Sequence, residues 1–290
     1  MYLGCAVPYR VSSYELSSRK ILEKLGIELT EMPEFNCCGL PMDAINHEAM
    51  LTLATKNLVV AEKVGLNIIT LCPGCAGTLT KANMAMNGKD KTLKEKINDN
   101  LKEAGMEFNG SVETRHILQI LLQDIGLKEI EKKIVNPLSM LKVAKHDGCH
   151  LLRPKAVINY DDPENPQVFK TLVEVTGAEC LEYINETECC GAPSVGVDDK
   201  IALKLARDKF NHVKAVGAQA LITSCGYCHI MFDTNELRIE RLYSEKYGIP
   251  VLHYPQLLGL AMGIAPEELG FKDLRVKASK ILEQITQGIN

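Results

Sequence analysis

The stretch Ala220-Leu221-Ile222-Thr223-Ser224-Cys225-Gly226-Tyr227-Cys228 decides how this chain folds. Ala220–Thr223 is a short apolar run of the kind that becomes a buried strand, and the Cys225–Cys228 segment with its glycine marks a turn at the strand's end. Upstream, Ile201, Leu205, Phe210, Val213 and Val216 recur near helical spacing between Asp198 and Gly217; downstream, Ile230 to Tyr247 is again helical in pattern. The order is helix, strand, cysteine turn, helix.

The same order occurs earlier in the chain. A helix is expected from Ala44 to Val64 and a strand from Asn67 to Leu71, after which Cys72-Pro73-Gly74-Cys75 opens another helix. Strands expected at Lys142–His146 and Glu179–Tyr183 precede Cys149 and Cys189, and a last strand near Pro250 is followed by helices at Gln256–Met262 and Leu274–Ile285. Alternating strands and helices imply an α/β protein. Its two halves should be related by a pseudo-twofold axis, each with a small, mostly parallel sheet flanked by helices. Lys89–Pro137 is rich in Lys and Glu, and Ile117, Ile120 and Leu121 suggest one amphipathic helix there. The expected division is a first half at 1–88, a helical connector at 89–137, and a second half with C-terminal helices at 138–290.

Cysteine spacing carries the function. The chain has 11 cysteines, and ten of them fall into two sets of one design: Cys5, Cys37-Cys38-Gly39, Cys72-Pro73-Gly74-Cys75, and Cys149, Cys189-Cys190-Gly191, Cys225-Gly226-Tyr227-Cys228. Flanking residues agree too. Gly4-Cys5 matches Gly148-Cys149, Gly39-Leu40-Pro41 matches Gly191-Ala192-Pro193, and Ile69-Thr70-Leu71-Cys72 matches Ile222-Thr223-Ser224-Cys225. The pattern is an internal repeat, and Cys180 lies outside it as a buried strand residue.

Bulk properties narrow the chemistry. The net charge of −4 argues against nucleic acid as a partner, because phosphate binding needs an excess of Lys and Arg. No signal peptide and no apolar run long enough to span a bilayer are visible, so a cytoplasmic location off the membrane is expected. In that reducing compartment, cysteines serve as metal ligands or redox groups rather than structural disulfides. A Cys-x-x-Cys motif taken singly fits a zinc knuckle or a dithiol site. A structural zinc site and an ordinary cubane iron–sulfur cluster each take four ligands, whereas each set here offers five. The adjacent pair fits a cubane poorly unless the following glycine turns the chain sharply. Five thiolates better suit a more open iron cluster with one bridging sulfur, and a zinc-stabilised interaction protein remains the redox-silent alternative.

At these motifs the chain resembles the cysteine-rich CCG-domain family over nearly its whole length, in two copies. The family includes the B subunits of heterodisulfide reductases and subunits of succinate, glycolate, lactate and glycerol-3-phosphate oxidoreductases, several with a fused ferredoxin-like region. No ferredoxin-type cysteine run occurs here, and two complete CCG halves in one chain look most like the reductase B subunits of methanogenic archaea. That resemblance implies two noncubane 4Fe–4S clusters, the first on Cys5, Cys37, Cys38, Cys72 and Cys75, the second on Cys149, Cys189, Cys190, Cys225 and Cys228. It implies as substrate the mixed disulfide of coenzymes M and B, reduced to two thiols in methanogenesis. Implied partners are a ferredoxin-like 4Fe–4S protein and a flavin/iron–sulfur protein of the same complex, with hydrogenase or formate dehydrogenase as the upstream donor and no flavin on this chain. The alternative is an electron-transfer component of a 2-hydroxy-acid or succinate oxidoreductase.

Residues outside the cysteine sets are candidates by position. His150 follows Cys149 directly and is the proposed proton donor; its counterpart, Ala6, cannot titrate. Lys209 joins it as a catalytic candidate. Arg10 and Arg153 are the candidates for binding the substrate's sulfonate and phosphate. His229, beside Cys228, could also transfer protons, whereas His47 and His253 are expected to be structural. For each of these side chains the plainer alternative is a packing or surface role.

Overall fold

A computed structural model describes residues 1–110 and 112–289, with side chains through residue 287. Among them, two parallel sheets form. In the first, β1 (Ile68–Thr70) pairs with β2 (Thr114–His116), Ile68 opposite Thr114 and Thr70 opposite His116. Tyr2 bridges Thr70 in parallel on the other edge. The second comprises β3 (Lys142–His146), β4 (Glu179–Leu181), β5 (Ala220–Thr223) and β6 (Val251–His253), in the order β4-β3-β5-β6. Every residue of β5 is buried, as expected for an apolar strand in a parallel sheet covered on both faces.

The row Tyr2–β1–β2 repeats the row β3–β5–β6, so the duplication reaches beyond the cysteines. It includes a motif not read from the sequence: His116-Ile117-Leu118-Gln119 after β2 matches His253-Tyr254-Pro255-Gln256 after β6. In each, the glutamine side chain accepts a hydrogen bond from the histidine backbone N–H, at 2.9 Å, where a helix starts.

One feature differs from the sequence reading. The segment 89–137 is not one helix. It contains a helix at Lys91–Lys102, started by Asp90, whose side chain accepts from Leu93 N, then strand β2, then a helical stretch from Ile117 whose turns widen to π geometry at Ile120–Ile125. Thr114-Arg115-His116 lacks an apolar run, and pairing with β1 is what makes it a strand. A helix at Ser12–Lys24, for which the sequence reading gave no element, packs away from its own half. Its Tyr14, Ile21 and Leu22 share a core with Leu257, Leu258 and Ala261 of the helix after β6, and Tyr14 Oη donates to Ser224 O at 2.9 Å. Burying such side chains contributes about 1.5–3 kcal/mol each, so the halves are held by a shared core.

Candidate metal centre

Each cysteine is placed by a local device that occurs twice. Cys72 and Cys225 are the N-cap residues of the helices Pro73–Asn87 and Gly226–Tyr243, where unpaired backbone N–H groups and the helix dipole favour a thiolate. Gly39 and Gly191 follow the Cys-Cys pairs with φ of 85° and 89°. Both also press against a helix: a Cβ on Gly39 would lie 3.1 Å from Met50 O, and one on Gly191 2.5 Å from Ala202 O. Those helices, His47–Glu62 and Asp199–Ala215, begin at Asn46 and Asp198, whose side chains accept from backbone N–H groups of the first turn. From the first, buried Asn57 accepts from Asn36 N at 2.8 Å and donates to Cys37 O at 3.2 Å. From the second, Lys209 reaches the corresponding segment and donates to the carbonyls of Asn185 and Glu186.

These devices bring all ten thiols into two adjoining groups, and none forms a disulfide. In the first, Cys5 and Cys37, Cys38 and Cys75, and Cys72 and Cys75 lie close enough to shift one another's ionisation. In the second, Cys149, Cys189, Cys190, Cys228 and Cys225 form a chain of such neighbours in that order. The groups meet at Cys72 and Cys225, which lie close enough to shift one another's ionisation. Cys5 is exposed and Cys37, Cys149 and Cys189 are half-buried, while Cys38, Cys72, Cys75, Cys190, Cys225 and Cys228 are buried. Each group is therefore buried at the Cys72 and Cys225 end and open at another, which in the first group is Cys5.

Charge explains why such groups call for a metal. Within each set, one thiol is pulled down at its neighbour's expense. Cys189 is held well below the ordinary thiol value, first by its neighbour Cys149, which is itself pushed far up by the same proximity. Cys38 is lowered first by Cys75, which is driven well up in return. Touching thiolates cannot all ionise unless a cation joins them. Soft, polarisable sulfur donors, five to a site, fit iron–sulfur ligation.

The other predicted residues lie in different settings. Arg10 is exposed and lines a cavity of about 470 Å³ between the halves, together with Cys5, Ala192, Tyr227 and Met231. His150 is exposed beside Cys149. Arg153 donates to Pro163 O at 2.8 Å and pairs with Glu164 at 3.1 Å. Lys209 is 2 % exposed, and burial lowers it to about 8. His229 is also buried, stacked on His253 at 3.8 Å, which stacks on Tyr14 at 4.0 Å; burial lowers His229 to about 3, a neutral packing ring. Cys180 sits in β4 opposite Val143, apart from both thiol groups.

Two residues at the centre were not found by sequence reasoning. Tyr227 Oη lies 3.7 Å from Cys5 Sγ, bringing the second half's Cys-x-x-Cys turn against the first half's cysteine. His146, the last residue of β3, has a ring nitrogen within 4.8 Å of the sulfurs of Cys190 and Cys228, which are likewise that close to one another. Its place in the repeat, three residues before Cys149 as Tyr2 is before Cys5, is the signal that could have found it.

Comparison with known proteins agrees with this geometry. The cysteine-rich CCG domain model matches residues 1–80 and 143–233. The chain is 37% identical to the B subunit of the ferredoxin:CoB-CoM heterodisulfide reductase of Methanosarcina mazei, over 98% of this chain and 96% of that one. It is 31% identical to the 8-methylmenaquinol:fumarate reductase membrane anchor subunit of Wolinella succinogenes, over 96% of each. Among solved structures, a hypothetical protein from Helicobacter pylori shares the fold with a TM-score of 0.74 at 17% identity, matching 96% of this chain and 52% of that one. Among the described residues, no helix is long and apolar enough to cross a membrane.

Proposed function

The chain belongs to the cysteine-rich CCG domain family, and from that premise we propose that it is the catalytic subunit of a heterodisulfide reductase. It would reduce the coenzyme M–coenzyme B disulfide to two thiols, with two electrons and two protons entering per disulfide. Cys5, Cys37, Cys38, Cys72 and Cys75 would hold one noncubane 4Fe–4S cluster, and Cys149, Cys189, Cys190, Cys225 and Cys228 the other. When bound, the clusters supply one-electron carriers, two of which match a two-electron bond cleavage.

The observation that carries this reading is the junction of the halves: the two five-thiol groups adjoin at Cys72 and Cys225, beside a cavity that reaches Cys5 and is lined by Arg10. In that cavity Arg10 would hold an anionic end of the substrate with its fork of N–H donors. His150, exposed beside Cys149, would deliver a proton; Arg153, partly engaged by Glu164, would meet the second anionic group. Lys209 would bias the second site by its charge while fixing the turn at Asn185 and Glu186. A ferredoxin-like 4Fe–4S protein and a flavin/iron–sulfur protein, fed by hydrogenase or formate dehydrogenase, would bring the electrons to this chain in the cytoplasm.

The likeness to a protein named for fumarate reduction favours a second reading, in which the chain passes electrons between partners. One experiment separates the two. Iron, acid-labile sulfide and paramagnetic resonance are measured on anaerobically purified protein with and without the disulfide. About eight irons per chain, the sum of two four-iron clusters, with a disulfide-dependent signal support the reductase. Iron that ignores the disulfide supports electron transfer, and zinc without iron refutes both.

A further inference from the structure

The two sites share a backbone frame but not the residue that closes them from the sheet. In the first half that position is Tyr2, whose hydroxyl is already used in donating to Asn36 O at 2.5 Å. In the second half it is His146, 2 % exposed and set edge-on against Phe232 with ring centroids 5.1 Å apart. Neither ring nitrogen of His146 has a hydrogen-bond partner. A buried imidazole left without partners costs about 1–3 kcal/mol for each unsatisfied polar group, so such a ring calls for a partner, and one of its nitrogens faces the sulfurs of Cys190 and Cys228.

We infer that His146 is a sixth protein contact of the second metal centre, donating its ring N–H to sulfur at Cys190 or Cys228, and that this makes the two centres electrochemically unequal. The inference rests on the iron–sulfur reading above. A hydrogen bond to a cluster sulfur stabilises the reduced, more negative state and raises the reduction potential. Tyr2, its hydroxyl committed elsewhere, gives the first centre no such bond from the matching position, and the first centre meets a hydroxyl only at its edge, where Tyr227 Oη lies 3.7 Å from Cys5 Sγ; the His146 donor therefore raises the potential of the second centre alone.

The test uses the full chain carrying its iron, in three forms: wild type, His146→Phe and His146→Gln. Histidine labelled with nitrogen-15 is incorporated, and pulsed paramagnetic resonance is combined with a redox titration of both centres. Wild type should show a weak coupling that responds to the label. His146→Phe should lose that coupling, keep its iron, and show one midpoint shifted downward with the other unmoved. His146→Gln retains an N–H donor; it should lose the labelled coupling yet recover most of the potential. A coupling that survives in both variants, or two unmoved midpoints in an iron-replete His146→Phe protein, overturns the inference alone. Loss of about half the iron in both variants also overturns it, by making the ring a direct ligand. Wild-type protein without iron overturns the inference together with the functional reading.

Discussion

Replacing Gly191 with alanine tests how the adjacent cysteines are aimed. Two costs arise. The residue has φ 89°, and an L side chain in left-handed backbone costs roughly 1–2 kcal/mol. The added methyl would also lie 2.5 Å from Ala202 O and 3.2 Å from Ala202 Cα, both backbone atoms of the Asp199–Ala215 helix that cannot rotate aside. Relief requires moving the Cys189-Cys190 turn off the helix, and with it two of five ligands. Gly217 is the control: its φ is 75°, but nothing lies within 4 Å of where a Cβ would stand. Gly217→Ala should lower the thermal midpoint by about 2–4 °C and leave iron unchanged. Gly191→Ala should be less stable than that and retain about four of eight irons. Gly39→Ala, with its closest contact at 3.1 Å, should act in the same direction on the first site but more mildly. The assay is iron per chain beside calorimetry under anaerobic conditions. A Gly191→Ala protein with full iron and no more instability than Gly217→Ala refutes the reasoning.

Three further outcomes are expected. Asn57→Ala removes the bonds to Asn36 N and Cys37 O; it should cost about 1–3 kcal/mol in denaturant unfolding and loosen iron at the first site selectively, read as faster loss to a chelator. Glu236 is buried with its carboxyl pushed up to about 8 by desolvation, above an ordinary value of 4.5. Between those pH values the unfolded chain ionises this group while the folded one keeps the proton, so its contribution falls as pH rises by up to about 1.4 kcal/mol per unit; Glu236→Gln should flatten the dependence of unfolding free energy on pH in that window, and an unchanged slope refutes it. Cys180→Ala should leave iron content unchanged and cost about 1 kcal/mol of stability, whereas iron loss would make Cys180 a ligand.

The apolar strand Ala220–Thr223 and the cysteine turn after it were legible because a fully buried strand needs only its own hydrophobicity to declare itself. Strand β3 was equally plain. Strand β2 was not, because Thr114-Arg115-His116 owes its conformation to β1, and a pairing partner far off in sequence leaves no local period. The attachment of the Ser12–Lys24 helix to the helix after β6 depends on shape matching between surfaces that sequence does not order. The cysteine sets could be grouped by spacing because each ligand follows a local stop signal, a glycine or a helix start. His146 could not, since a lone buried histidine at a strand end resembles many that merely pack.

Symmetry and departure from it divide the labour in this fold. The positions that fix backbone are kept in both halves: the Cys-Cys-Gly turn, the N-capped helix that supports it, and the His-x-x-Gln start after the last strand. The positions that face the thiols differ. Tyr2 becomes His146 and Asn57 becomes Lys209. Beside them, Lys145 pairs with Asp147 at 2.6 Å and also with Glu186, where the first half has Met1 in place of Lys145 and Leu3 in place of Asp147. The second site thus gains a buried imidazole and two buried ammonium groups, one of them paired with two carboxylates. Duplication supplies two matching thiol frames, and substitution around one of them sets a histidine ring beside two of its sulfurs where the other has a tyrosine whose hydroxyl is bonded elsewhere.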